Sequence, residues 1–285
     1  MHTTLISTDE LALHLDDAAW TIVDCRYDLS DESWGDAQYR RAHIPGASYA
    51  SLGRDLAGPR DGRNGRHPLP TPEAMVATFG RLGVTSGIQV VAYDHDNGMY
   101  ASRLWWMLRY MGHDAVAVLD GGFATWLREG RPTQSGVATR ETAAFTGTPR
   151  AEMRLTANQV WTKLGDPSLT LVDARAPARY EGREEPLDRV AGHIPGARNH
   201  FYQWNLQPDG TFLPSDALRE TFAGVLGATP PEQVAVYCGS GVTACHNLLA
   251  MERAGLTGVK LFPGSWSEWS ADPDKPVETG PSQPR

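Results

Sequence analysis

Cys238 is the residue with the clearest potential for chemistry, because of what surrounds it. It ends the short apolar run 234–237, and only small residues follow before a helical pattern begins near Ala244. Backbone N–H groups of such a loop can turn inward above a helix N-terminus and bind an anion, which lowers the pKa of a thiol. We interpret Cys238 as a nucleophile. The residues of its anion-binding loop are then Gly239, Ser240, Gly241, Val242 and Thr243.

The other two cysteines have different surroundings. Cys25 lies within a predicted strand and is interpreted as a small buried apolar residue, and Cys245 is interpreted as packed in the helix after the loop. Three cysteines are too few for a disulfide scaffold, and their spacing contains no C-x-x-C metal pair. The sequence therefore predicts reduced thiols and a cytoplasmic location.

Composition excludes several classes of function. The chain has 285 residues with 26 Lys and Arg against 34 Asp and Glu, a net charge of −8. This balance argues against a nucleic-acid partner, which needs clustered basic residues. No apolar run approaches the roughly 20 residues that span a bilayer, and the N-terminus lacks the pattern of a signal peptide. We predict no nucleic-acid or membrane partner.

The chain repeats itself in order, which indicates a duplicated domain. The repeated pairs include "TIVDCR" with "TLVDAR", "AHIPGA" with "GHIPGA", and "LDGGFATW" with "LFPGSWSEW". The segment "VVAYDHDNGMYASRLWWM" of the first half likewise matches "VAVYCGSGVTACHNLLAM" of the second. A feature present in both halves is expected to serve the shared fold. A feature present in one half is a better candidate for chemistry.

Short β-branched runs alternate with helical segments in both halves, which predicts the fold class. Strands that are apolar on both faces and separated by helices are typical of a parallel sheet covered on both sides. We predict an α/β protein of two tandem domains, 1–131 and 151–285, each an open, mostly parallel sheet with helices on both faces. Residues 132–150 lack apolar periodicity and are predicted to be a linker.

The duplication separates candidates for chemistry from candidates for the fold. Asp94 occupies the slot of Cys238 in the first half, which predicts that this half is an inactive copy. The surrounding "DHDNG" is rejected as a calcium loop, because Trp105 stands where a bidentate Glu is required, and no metal site is predicted.

His43 and His193 recur in both halves and are interpreted as histidines that fix a turn. The recurring pairs Asp24–Arg26 and Asp173–Arg175 are likewise interpreted as buried ion pairs that orient a loop.

A cysteine in a loop before a helix also describes Cys-dependent phosphatases. They need an arginine six positions after the cysteine to bind the phosphoryl oxygens. That position is Ala244, and no Arg or Lys lies between Cys238 and Met251. The loop is better suited to a smaller anion, such as one extra sulfur carried on the cysteine.

The duplicated halves, the paired "HIPGA" and the single strand-end cysteine in "CGSGVT" together resemble the two-domain rhodanese-like sulfurtransferases, from about Thr8 to Pro276. The resemblance implies that Cys238 takes sulfur from a small anionic donor, becomes a persulfide and passes the sulfur to a thiol, cyanide or thioredoxin-like acceptor. It implies no metal and no organic cofactor. "CGSGVT" is most similar to the branch that uses 3-mercaptopyruvate, since thiosulfate-preferring members more often carry basic residues in this loop.

The resemblance also implies roles for particular residues. Ser240 matches a catalytic serine, and Arg179 and Arg189 match two carboxylate-binding arginines, Arg189 lying one position later than in the family. His67, in "RHPLP", and Tyr100 match first-domain contributors to substrate binding. The family's first-domain Asp has no direct match, since Gly53 stands in its place and Asp55 lies two residues further on.

Three alternative functions remain open at this point. Thiosulfate could be the donor, as in thiosulfate:cyanide sulfurtransferases. The chain could instead be a persulfide carrier or redox sensor with slow turnover. It could also be a non-catalytic scaffold, although scaffold copies tend to lose the cysteine that this chain keeps at 238.

Overall fold

The structure, a computed structural model, describes residues 1–138 and 140–281 and divides into two compact units. Unit 1 comprises Met1–Gly58, Pro70–Arg150 and Gln207–Phe212. Unit 2 comprises Pro59–Leu69, Ala151–Leu206 and the chain from Leu213 onward. Each unit thus includes a short segment from the other half of the sequence.

Unit 1 is built on a parallel sheet of five strands in the order β1-β5-β4-β2-β3. The strands are β1 Leu5–Ile6, β2 Trp20–Asp24, β3 Ser48–Tyr49, β4 Gln89–Tyr93 and β5 Val116–Leu119. The helices are α1 Thr8–Ala12, α2 Trp34–Arg41, α3 Leu52–Asp55, α4 Pro72–Arg81, α5 Ala101–Tyr110 and α6 Gly122–Arg128.

Unit 2 repeats this plan with a parallel sheet of four strands in the order β7-β6-β8-β9. Its helices and strands are α7 Ala157–Thr162, β6 Thr170–Asp173, α8 Pro177–Tyr180, β7 Arg198–Asn199, α9 Ser215–Leu226, β8 Val234–Tyr237, α10 Thr243–Arg253, β9 Lys260–Leu261 and α11 Ser265–Trp269. Single 3₁₀ turns lie at Ala151–Met153, Tyr202–Asn205 and Pro231–Gln233.

The predicted fold class is confirmed, and short β-branched runs form the central strands of both sheets. Every residue of β4 and β8 is buried, which explains why these runs show no alternation of polar residues. The edge strands β1, β3 and β7 were not predicted. Each has two residues, too few to give a periodic signal.

The predicted domain boundaries remain a prediction, but contacts assign three segments of the chain differently, and one of them is Gln207–Phe212, which belongs to unit 1. Pro59–Leu69 belongs to unit 2, although it lies in the first half of the sequence. The predicted linker lies in unit 1, where Phe145 is buried and packs edge-on against Phe79 with ring centroids 5.1 Å apart. Apolar periodicity does not reveal this packing, because the segment contributes a single large apolar side chain.

Both interpreted ion pairs are present and buried. The Arg26 guanidinium bonds Asp24 at 2.6 Å, and Arg175 bonds Asp173 at 2.7 Å, with side chains no more than 3% exposed. Each arginine also donates to a backbone carbonyl of the following turn, Ala42 in unit 1 and Gly192 in unit 2, both at 2.6 Å. The pairs therefore fix the turn that carries "HIPGA" in each unit.

The two "HIPGA" histidines make the same contacts in the two units. Nδ1 of His43 donates to the Tyr39 carbonyl and Nδ1 of His193 to the Tyr180 carbonyl, both at 2.8 Å. Each imidazole also stacks on the ring of that tyrosine. Each histidine backbone pairs with a residue after the last helix of its half, Gln134 or Glu278. These contacts support the interpretation of both histidines as structural.

His193→Asn and His43→Asn are both expected to lower the free energy of unfolding by about 1–3 kcal/mol, because each removes a buried hydrogen bond and a stacked ring. Urea unfolding would measure the loss. His95→Asn, a change at an exposed histidine, is the matched control and should alter stability by less than about 0.5 kcal/mol. A His193 variant with wild-type stability would contradict the structural role.

Stability is expected to fall as the pH drops from 7.5 to 5.5. Burial is the main cause that lowers the pKa of His113, His193 and His200 below the ordinary 6.5. Around pH 6 the unfolded chain therefore binds more protons than the folded one, and stability decreases as the pH falls through 6.5. Each histidine contributes up to about 1 kcal/mol at pH 5.5. Urea unfolding curves with equal midpoints at the two pH values would show this expectation to be wrong.

Candidate active site

The loop between β8 and α10 directs a backbone amide at the thiol of Cys238. The Gly241 N–H donates to Cys238 Sγ over 3.1 Å, and the cysteine is 2% exposed. Gly241 has φ of +77°, and a Cβ there would collide with the Pro263 carbonyl. Glycine is therefore needed at 241 both for its conformation and for the space. One inward amide of the predicted anion-binding loop is thus present at the sulfur.

The backbone of Cys238 is fixed by the first turn of α11. The Ser265 hydroxyl accepts the Cys238 N–H at 3.1 Å and donates to the Phe262 carbonyl at 2.9 Å. The Cys238 carbonyl accepts the Trp266 N–H at 2.9 Å. Ser265 has φ of +56°, a left-handed conformation that costs a residue other than glycine about 1 kcal/mol or more. This strain at a site residue is offset by the hydrogen bonds that Ser265 makes.

Ser265 was missed by sequence reasoning, although the repeat contains a signal. The first half has Gly122 at the matching position, with the same φ of +56°. A serine at a position whose conformation favours glycine indicates that its hydroxyl makes a contact that glycine could not make. The sequence alone did not show that this position is left-handed.

The matching loop of unit 1 contains a carboxyl group of its own. The Asp94 carboxylate accepts the backbone N–H groups of Gly98, Tyr100 and Ala101 at 2.7–3.1 Å. The carbonyl of Asp94 accepts the Phe123 N–H at 2.9 Å, as that of Cys238 accepts the Trp266 N–H. Inward amides at this turn therefore hold an acceptor group, and in unit 1 that group is the Asp94 side chain.

Ser240 pairs with His67 inside unit 2. Ser240 Oγ and His67 Nδ1 are 2.8 Å apart, and both residues are more than 90% buried. His67 reaches the loop because Pro59–Leu69 belongs to unit 2. A hydroxyl paired with an imidazole can move a proton next to Cys238.

Two guanidinium groups lie beside Gly239. A Cβ at Gly239 would be 2.8 Å from Arg66 Nη2, and 3.4 and 3.5 Å from the terminal nitrogens of Arg179. Arg179 thus lies beside the loop, as the resemblance implied. Arg189 is exposed, and its side chain makes no hydrogen bond or ion pair with any described residue. Arg66 was missed, and its position directly before His67 was the available signal.

Two buried carboxylates hold these arginines. Glu185 Oε1 accepts from Arg179 Nη2 at 2.6 Å, and Asp188 Oδ1 accepts from Arg66 Nη1. The guanidinium groups are thereby held next to the loop by charge-assisted hydrogen bonds.

The remaining predicted residues of the first half lie in unit 1. Tyr100 is buried, and its ring meets Tyr27 edge-on at 5.6 Å. The Asp55 carboxylate is buried and accepts from Arg81 at 2.6 Å, from Arg54 at 2.8 Å and from the Ser51 N–H at 2.8 Å.

The other thiols have structural surroundings. Cys245 Sγ donates to the Gly241 carbonyl at 3.3 Å, so it supports the loop from within α10. Cys25 is fully buried, and its burial raises the pKa of this thiol well above the ordinary value. Cys238 is the thiol whose sulfur accepts the loop amide.

The described residues also bear on metal binding and on membrane insertion. Within it, no group of three or more His, Cys, Asp and Glu residues is arranged to hold a metal ion. No helix there has the length and apolar character needed to cross a bilayer.

A model of the rhodanese-like domain matches the chain twice, over residues 7–129 and 156–272. The chain belongs to the rhodanese-like family. Both units are thus copies of one domain, and the resemblance drawn from "HIPGA" and "CGSGVT" is confirmed.

Rhodanese-like relatives match over nearly the full length of the chain. A Pseudomonas aeruginosa protein named as a probable 3-mercaptopyruvate sulfurtransferase is 44% identical over 278 residues, 97% of this chain and 98% of the relative. A thiosulfate sulfurtransferase of Cricetulus griseus is 38% identical over 86% of this chain and 84% of its own. The crystal structure of SseA from Escherichia coli, titled as a 3-mercaptopyruvate sulfotransferase, has a TM-score of 0.81 at 32% identity and covers 94% of this chain and 100% of that chain.

Proposed function

We propose that this rhodanese-like enzyme transfers a sulfane sulfur from 3-mercaptopyruvate, through a persulfide on Cys238, to a thiophilic acceptor. The observation that carries this proposal is the Gly241 amide directed at the Cys238 sulfur, beside two guanidinium groups. Its relatives are sulfurtransferases that use this donor or thiosulfate, by their names. The anion-binding loop supports turnover through a sulfur anion.

In the first step the Cys238 thiolate attacks the donor sulfur. A new S–S bond forms, and the C–S bond of 3-mercaptopyruvate breaks with its electron pair going to carbon. The proton of the donor thiol is transferred to that carbon, so pyruvate leaves and Cys–S–S⁻ remains. The 2.8 Å contact between Ser240 Oγ and His67 Nδ1 supports a role for this pair in carrying the proton, and the Gly241 N–H at Cys238 Sγ supports stabilisation of the persulfide anion.

In the second step an acceptor attacks the outer persulfide sulfur. Its bond to Cys238 Sγ breaks, and the cysteine leaves as the thiolate with which the cycle began. Cyanide would give thiocyanate, and a small thiol or a thioredoxin-like protein would give its own persulfide. No step requires a metal or an organic cofactor.

Thiosulfate is the second candidate donor, and the paired guanidinium groups favour it. Attack on its outer sulfur would release sulfite and leave the same persulfide. Thiosulfate is a dianion with its charge close to the transferred sulfur, and Arg66 and Arg179 both approach the loop at Gly239. A persulfide carrier with slow turnover uses the same loop, and steady-state rates separate it from an enzyme.

The cytoplasm is the proposed location. All three cysteines are free, which suits a reducing compartment.

Replacement of Cys238 tests the persulfide. Cys238→Ser is expected to abolish sulfur transfer, whereas the matched variants Cys245→Ser and Cys25→Ser should keep most of it, because their sulfurs have structural surroundings. Mass spectrometry after treatment with donor should show one added sulfur on the peptide that contains Cys238. A persulfide found only on Cys245 would refute the assignment.

Arg179→Met tests the binding of the donor carboxylate. A charge-assisted contact of roughly 1.5–3 kcal/mol is lost, so KM for 3-mercaptopyruvate should rise about ten- to a hundredfold with kcat little changed. Arg189→Met removes the same charge from an exposed position and should change KM less than about twofold. Equal effects of the two variants would contradict the role given to Arg179. A wild-type enzyme with higher kcat/KM for thiosulfate would contradict the choice of donor.

A further inference from the structure

Four charged side chains form a cluster next to Gly239, and its net charge is the feature of interest. The charge cluster consists of Arg66, Arg179, Glu185 and Asp188. Both arginines lie near the position of a Cβ on Gly239, the residue directly after Cys238. The cluster can therefore act electrostatically on any donor bound at the loop.

The carboxylates of the cluster are more deeply buried than its arginines. The Asp188 and Glu185 side chains are 7% and 3% exposed, against 24% for Arg66 and 18% for Arg179. Buried charges are weakly screened by salt, so their effect on neighbouring ions persists at physiological ionic strength. The acidic members are thus built into the site, with the guanidinium groups on the more open side.

The formal charges of the cluster cancel. Glu185 also contacts Arg175 at 3.2 Å, but the charge of Arg175 is already balanced by Asp173 in the pair that orients the turn. This leaves Arg66 and Arg179 against Glu185 and Asp188. Loss of either carboxylate would leave one uncompensated positive charge beside Gly239.

Asp188 contacts both arginines of the cluster. Its Oδ1 bonds Arg66, and its Oδ2 lies 3.5 Å from Arg179 Nη2 without hydrogen-bond geometry to any described residue. Arg179 Nε is also buried with no hydrogen-bond partner among the described residues. Asp188 thus contacts both guanidinium groups of the cluster, whereas Glu185 pairs with Arg179.

We propose that Asp188 is a specificity-determining residue that sets the preferred charge of the sulfur donor. By cancelling one guanidinium charge, it favours the monoanion 3-mercaptopyruvate over the dianion thiosulfate. The inference rests on the proposed function and adds that a residue outside the Cys238 loop controls the choice of donor. Asp188 acts through Arg66 and Arg179, without contact to the reacting sulfur.

Asp188→Asn is the test, since asparagine keeps the shape and can still accept a hydrogen bond from Arg66. One net positive charge is gained near the donor, and a dianion responds to it twice as strongly as a monoanion. The ratio of kcat/KM for thiosulfate to kcat/KM for 3-mercaptopyruvate should rise roughly three- to tenfold. Asp188→Glu keeps the charge and should return the ratio towards the wild-type value.

Glu184→Gln is the matched control, because Glu184 is an exposed acid of the same loop. Its removal should leave the ratio within about twofold of wild type, since solvent screens an exposed charge. The double variant Arg66→Met with Asp188→Asn restores a neutral cluster and should lower the ratio again. A ratio that stays high in the double variant would overturn the role of net charge.

A second measurement is independent of sulfur transfer. Cys238 is alkylated with the anion iodoacetate and, separately, with neutral iodoacetamide. The ratio of the first rate to the second reports the electrostatic potential at the thiol. Asp188→Asn should raise this quotient, and an unchanged quotient would overturn the proposal even if the variant is destabilised.

If the wild type transfers sulfur from neither donor, the proposed function fails. If it is active and Asp188→Asn leaves the donor ratio unchanged, the inference alone fails.

Discussion

The site depends on one constraint, that the turn after β8 must point a backbone N–H at the sulfur of Cys238. Gly241 makes this possible with a left-handed conformation, at a position where the Pro263 carbonyl leaves no room for a side chain. The turn is fixed from the other side by Ser265 and Trp266, which bond the N–H and the carbonyl of Cys238. This frame fixes the sulfur relative to the Ser240 hydroxyl, the His67 imidazole and the guanidinium groups of Arg66 and Arg179.

The duplication shows which parts of that frame belong to the fold. Both units keep the buried Asp–Arg pair and the histidine stacked on tyrosine. In both, a backbone N–H also donates a hydrogen bond to the carbonyl of the residue after the strand, Asp94 or Cys238. The two units differ in the side-chain group that accepts hydrogen bonds from the backbone N–H groups of this turn. In unit 1 this group is the Asp94 carboxyl, whose pKa is raised by burial, whereas in unit 2 it is the thiol of Cys238, the proposed carrier of sulfur. The same backbone thus serves stability in one copy and chemistry in the other.

The sequence predicted what is encoded locally. The apolar runs predicted the central strands, and the small residues after Cys238 predicted the inward amide. Among the residues that reach the site from distant segments, the family resemblance implied His67, whereas Arg66 and Ser265 were not predicted. Arg66 lies beside the loop although 172 positions of the chain separate it from Cys238, and Ser265 is identified as unusual only by its positive φ. Arg189 matched the family pattern by proximity in sequence, but its side chain is exposed, because spacing in a loop does not fix the direction of a side chain.

The segment Pro59–Leu69 has a consequence for how this gene could be divided by recombination. A cut in the region between the two sequence repeats would give a second half that keeps Cys238, Ser240, Arg179 and both buried carboxylates. It would leave Arg66 and His67 on the other fragment, since both are encoded upstream of the cut. Recombination therefore preserves these contacts only when both repeats are inherited together. Exchange of a single repeat with a related gene would carry the nucleophile without the imidazole that pairs with Ser240.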